Sequence, residues 1–247
     1  MPSSHPIVAF AVLFVLSTVA CAAPGTRLRP EAPAAVPGEG RAVVVVRVEK
    51  PWYAPRFVIR GKFRDVLPEY EAIAPLEAKY FTITDEGEFG GIYLWGSRRA
   101  AEDHFDSAWH AKVRAKRGVD ADVLVADAAF VIEGRALPDG KPEGARSLAY
   151  PAWASFVRIT LPEAADPSAA AKALAGLPWS DAALIKALVV VGPGLAGVVA
   201  LWATREAAEA AVRESTRAAL RQASGGTASS FTLFEAPLLV DARLRAR

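Results

Sequence analysis

The stretch AKYFTITDEGEFGGIYLWGSRRAAEDHF, residues 78–105, falls on IKALVVVGPGLAGVVALWATREAAEAAV, residues 185–212, when the chain is slid by 107 positions with no gap. No other feature constrains the fold as much, because a segment written twice implies one structural unit built twice. From Lys79 to Phe105, nine of 27 positions are identical: Lys79/Lys186, Gly87/Gly194, Gly90/Gly197, Leu94/Leu201, Trp95/Trp202, Arg98/Arg205, Ala100/Ala207, Ala101/Ala208 and Glu102/Glu209. Composition alone would give about two.

The repeat decides how to read AALIKALVVVGPGLAGVVALWA, residues 182–203, whose one charge is Lys186. By length and apolarity it is able to cross a bilayer. Its counterpart in the first copy is a hairpin, however. Tyr80 to Thr84 is β-prone, Asp85-Glu86-Gly87 turns, and Gly91 to Trp95 returns. In the second copy Gly192-Pro193-Gly194 would break a helix and suits a turn, and the Val/Leu runs suit strands buried on both faces. The run is therefore expected to be a buried hairpin.

The similarity extends outward, with VVRVE (45–49) near FVRIT (156–160) and VADAAFVIE (125–133) near LFEAPLLVD (233–241). Each copy reads strand, helix, strand, strand, helix, strand, the ferredoxin-like split βαβ order. Helix one is expected within Phe57 to Ala72, with a break or kink at Pro68, and near Ser168 to Ala175. Helix two is expected to start at Ser97 or Thr204 and to run to about Lys116 or Gln222, with Gly118 and Gly225-Gly226 as stops. Ala101, Phe105, Trp109 and Val113 would bury as one stripe. The expected fold class is α+β, with two tandem ferredoxin-like repeats packed sheet to sheet as an intramolecular dimeric α/β-barrel. The first repeat covers 41–134, a linker 135–154 and the second repeat 155–243. A bare sheet face is an aggregation surface, and the other copy supplies its cover within one monomeric chain.

The N-terminus differs in kind. Ile7 to Leu16 is a short apolar core followed by small residues, as in a secretory signal over residues 1–21. Cys21, the one cysteine, follows Thr18-Val19-Ala20, which resembles the lipobox of bacterial lipoproteins, with Thr18 where Leu is usual. Acylation of Cys21 would anchor the protein at the cell envelope, whereas cleavage after Ala22 would leave it periplasmic or secreted. The Pro-, Ala- and Gly-rich residues 22–40 read as a disordered tether. With 29 basic and 27 acidic residues, mostly scattered, there is no electrostatic case for nucleic acid.

KYFTITDEGEFGGIYLWGSRRAAEDHFDSAWHAKVRAKRGV (79–119) resembles the YdhR-like mono-oxygenases of the dimeric α/β-barrel superfamily. The resemblance covers about residues 43–133 and is most specific from Gly90 to Trp95. It implies a pocket between helices and sheet in the first copy and a structural partner in the second. It also implies cofactor-independent oxygenation of a small hydrophobic or aromatic molecule. Such chemistry needs a base near working pH, a donor for the developing oxyanion and a dry pocket. The candidates are His104 as base and Tyr80 or Tyr93 as donor, with Tyr80, Tyr93, Trp95 and Trp109 lining the pocket. Each also has a structural reading: Trp95 persists as Trp202, and Lys79 with Lys186 suits a role in the frame. No metal is expected, since His104 and His110 are about 240° apart on a helix. The scarcity of axial ligands argues against haem. A non-catalytic binding protein and a purely structural lipoprotein stay open beside the enzyme.

Overall fold

The computed structural model describes residues 28–30, 40–49, 54–136, 147–148, 152–179 and 181–241. Cys21, most of the expected tether and most of the linker lie outside them. The described residues form an α+β structure, an eight-stranded antiparallel barrel with six helices. Residues 42–133 give β2 (Ala42–Glu49), α1 (Arg56–Ala72), β3 (Leu76–Thr84), β4 (Glu88–Trp95), α2 (Arg98–His104), α3 (Ser107–Arg117) and β5 (Asp122–Glu133). Residues 152–241 give β7 (Ala152–Thr160), α4 (Pro167–Ala175), β8 (Leu184–Gly192), β9 (Leu195–Trp202), α5 (Arg205–Ala211), α6 (Glu214–Ser224) and β10 (Ala228–Asp241). Two short strands sit outside the barrel: β1 (Leu28–Pro30), within the expected tether, pairs with β5, and β6 (Ser147–Leu148) pairs with β10.

The barrel order is β5-β2-β4-β3-β10-β7-β9-β8, closed by β8 on β5. The faces expected to pack do meet, but their edges are also hydrogen-bonded, which face-to-face packing alone would leave open. The long strands β5 and β10 make both seams. The first part of β5 pairs with β2 and its last part with β8. In the same way β10 pairs first with β7 and then with β3, with a register shift between Glu235 and Leu238, where Pro237 interrupts the ladder. Closure removes the exposed edges of a four-stranded sheet.

The apolar run 182–203 forms the β8–β9 hairpin, and no helix among the described residues is long and apolar enough to cross a membrane. Gly87 (φ 95°) and Gly194 (φ 63°) take the left-handed conformation their turns require. The gapless offset, however, misplaces one strand. Tyr80 lies opposite Ile92, and Leu188 opposite Val199, so Tyr80 corresponds to Leu188 and Lys79 to Ala187. The second turn is one residue shorter. The Lys79/Lys186 identity is thus not a structural equivalence, since a one-residue slip exchanges the faces of a strand.

Helix two is broken in both halves. Ser97 Oγ accepts from the Ala100 amide at 3.1 Å to start α2, and Asp106 Oδ1 accepts from the Trp109 amide at 2.7 Å to start α3. In the second half Thr204 caps α5, and the break before α6 is held by Thr216 Oγ1 donating to the Ala210 carbonyl at 2.9 Å. The stripe survives the break: Ala101 and Phe105 are buried, and Trp109 and Val113 pack beside them. Helix α1 continues through Pro68.

Candidate functional site

The barrel wall has an inner and an outer face, and successive strand residues alternate between them. Val43, Val45, Ile92, Leu94, Phe156 and Leu188 are among the side chains that fill the interior. The outer face is covered by α1, α2 and α3 in the first half and by α4, α5 and α6 in the second. This alternation separates the two tyrosines expected to share a pocket. Tyr80 points into the barrel, whereas Tyr93 points out beneath the helices.

Inside, the Tyr80 hydroxyl donates to Asp241 Oδ2 at 2.9 Å. The same carboxylate lies 3.1 Å from Lys186 Nζ, which is also 3.4 Å from Glu133 Oε1. Tyr80, Lys186 and Asp241 are buried, so this network fixes the junction of β3, β5, β8 and β10 and leaves Tyr80 no path to the helix layer. Lys186 is thereby a paired frame charge.

Under the first-half helices the other candidates do come together. Tyr93 stacks with Trp95 at 6.5 Å, and Phe105 meets Tyr93 edge-on at 5.1 Å. His104 lies 5.0 Å from Trp95, and Trp109 is 5.0 Å from Phe105. Lys79 enters this cluster from β3, with Nζ 2.9 Å from the Tyr70 ring centre, 4.0 Å from Phe81 and 4.6 Å from Tyr93. No carboxylate pairs with it among the described residues. Burial holds the Lys79 ammonium well below the ordinary lysine range, with Glu69 pulling weakly the other way. Burial likewise raises Tyr93 well above an ordinary phenol and, with Lys79 nearby, lowers His104. The Trp95 indole N–H and His104 Nε2 are buried with no hydrogen-bond partner among the described residues. These are groups with acid–base character, but their own rings fill the space between helix and sheet.

The second half has the opposite balance. Here a cleft of about 240 Å³ lies between the helices and the outer face. Its walls include Val198, Ala200 and Trp202 of β9, Ala211 of α5, Thr216 of α6, and Trp179. The reason can be read off corresponding positions: Tyr93, His104, Phe105 and Trp109 are replaced by Ala200, Ala211, Val212 and Thr216. The resemblance implied a pocket in the first copy; this cleft lies in the second, where lost ring volume leaves a void that the frame does not close. The feature could have been found in the sequence by reading those replacements as lost volume rather than lost chemistry. Polar groups in the cleft are few and mostly used. Trp202 Nε1 donates to Ser155 Oγ at 2.9 Å, and Asp181 Oδ1 accepts from the Ala183 amide at 2.7 Å. Of the described cleft residues, Asp181 is the one titratable side chain, and it is exposed.

No known family model matches the chain, and no curated protein matches it in sequence. Among solved structures, it is similar to an "anthrone oxidase-like protein" at 14% identity and a TM-score of 0.51, over 83% of this chain and 94% of that one. It is similar to a "putative monooxygenase" from Fusobacterium nucleatum subsp. nucleatum at 6% identity and 0.57, over 82% and 94%. A "putative monooxygenase" from Lactobacillus acidophilus matches at 13% identity and 0.51, over 83% and 97%. At these identities the likeness is one of fold: an α+β barrel consistent with a dimeric α/β-barrel-like architecture.

Proposed function

We propose that this protein binds a small hydrophobic or aromatic molecule in the helix-covered cleft of its second half. The observation that carries this reading is the cleft itself, apolar, walled by Trp179 and Trp202, and opened by the small residues Ala200, Ala211 and Thr216 at its lining. An apolar cavity of about 150 Å³ holds a benzene molecule, so the space here suits one or two fused rings rather than three. Binding comes before turnover in this reading because a cofactor-free oxygenation needs a base beside its substrate, and the cleft walls offer only exposed Asp181.

The second reading is a cofactor-independent oxygenase of the YdhR-like kind. It is favoured by the fold likeness to mono-oxygenases and by Lys79, Tyr93 and His104 clustered with shifted proton affinities. No haem or metal is called for in either reading. The recurring element order and the shared Trp95/Trp202 and Gly90/Gly197 positions support descent by duplication, with the halves acting as a pseudo-dimer in a monomeric chain. The signal-like segment and Cys21 support export and lipid anchoring at a bacterial envelope. Mass spectrometry of the membrane fraction should find Cys21 acylated, and Cys21→Ser should release the protein. A soluble wild type would remove the anchor from the proposal.

The binding test uses indole and 1-naphthol with tryptophan fluorescence as readout. Both should saturate on the wild type, and Ala200→Tyr, which restores the ring found at Tyr93, should abolish saturation without unfolding the protein. Failure of both probes on the wild type, or unchanged binding by Ala200→Tyr, overturns the reading. Oxygen uptake with 1-naphthol that survives Ala200→Tyr but is lost in His104→Ala would move function to the first half.

A further inference from the structure

At one end of the barrel the inner face opens into a second cavity, of about 200 Å³, outside both helix layers. Two arginines reach it from corresponding places. Arg47 of β2 lies between Gly90 and Asp122, and Arg158 of β7 lies between Gly197 and Ser230. Their electrostatic situations differ. Arg47 is held by an ion pair with Asp122 and by Glu88 at 3.5 Å. At the positions corresponding to those carboxylates the second half carries Ser230 and Leu195. Arg158 makes no ion pair among the described residues and is exposed. The wall around it combines the hydroxyls of Ser230 and Thr232 with the apolar sides of Phe156 and Leu124.

We propose that this mouth is a binding site for a small carboxylate with an apolar body, and that Arg158 is its anion anchor. A guanidinium presents a planar fork of donors that matches a carboxylate bidentately. The Ser230 and Thr232 hydroxyls can donate to the same oxygens, and Phe156 and Leu124 cover the body of the ligand. A cavity of about 150 Å³ takes one benzene ring, so a benzoate-sized acid fits. The nearby Asp122 carboxylate disfavours a dianion. The site is independent of the cleft in the second-half helix layer: it shares no lining residue with it.

The experiment is titration of the full chain with benzoate at low salt, followed by NMR and calorimetry, with benzyl alcohol as the neutral probe. Benzoate should saturate and shift the Arg158 side-chain resonance, and benzyl alcohol should bind more weakly. Arg158→Gln should weaken benzoate about tenfold or more. Ser230→Asp places an internal carboxylate where the first half has Asp122. It should block benzoate while far-UV circular dichroism and 1-naphthol binding stay unchanged. Equal benzoate affinity in Ser230→Asp and wild type, or no saturation of the wild type, overturns the proposal. Loss of 1-naphthol binding alone would strike the cleft reading and leave this one intact.

Discussion

Lys79 shows what one side chain's environment can do. Its ammonium sits among Tyr70, Phe81 and Tyr93 with no carboxylate paired to it among the described residues, so the rings offset only part of the cost of burying charge. A lysine whose proton affinity is lowered in the folded state costs stability in full below the folded pKa. That cost fades as pH rises towards the unfolded value, because between the two the unfolded chain holds the extra proton. Lys79→Met should therefore stabilise the protein, by about 1–3 kcal/mol at neutral pH, with the gain shrinking towards pH ~10. Urea denaturation from pH 6 to 10 would check this, and a destabilised Lys79→Met would give the amine a net favourable role. Residue identity alone gave no sign of this difference from Lys186. The two are identical in sequence, yet one faces the helix layer and the other pairs with Asp241 inside the barrel.

At the scale of elements, the hairpins were legible because their turns and alternation are local. Gly90 and Gly197 recur where the neighbouring strand, β2 or β7, comes close beside each. A Cβ on Gly90 would lie 2.1 Å from the Val46 carbonyl oxygen, and one on Gly197 would lie 2.7 Å from that of Val157. Gly90→Ala should thus destabilise by about 2 kcal/mol or more, measured by chemical denaturation, and by more than Gly197→Ala. Val190, fully inside the barrel, makes a harsher test: Val190→Asp should leave no cooperatively folded protein. A folded Val190→Asp monomer would mean that β8 is not where it has been placed. The break in helix two was not legible, because Ala101, Phe105, Trp109 and Val113 keep a helical spacing across it. The cap at Asp106 shows only once the chain is seen to restart there.

For the whole molecule, the two seams decide behaviour. Each half contributes one edge to β3–β10 and one to β5–β8, so neither can open without exposing paired edges and interior side chains. Far-UV circular dichroism and tryptophan fluorescence should report a single coincident unfolding transition. Two separated transitions would mean that the halves fold independently. The sequence by itself determined the hairpins and the element order, since these follow from turn residues and periodicity. Only the tertiary structure decided strand register, which face each tyrosine and lysine takes, and where the cleft lies. Those depend on distances between segments far apart in the chain and on how completely side chains fill the space between helix and sheet, and neither quantity is carried by local pattern.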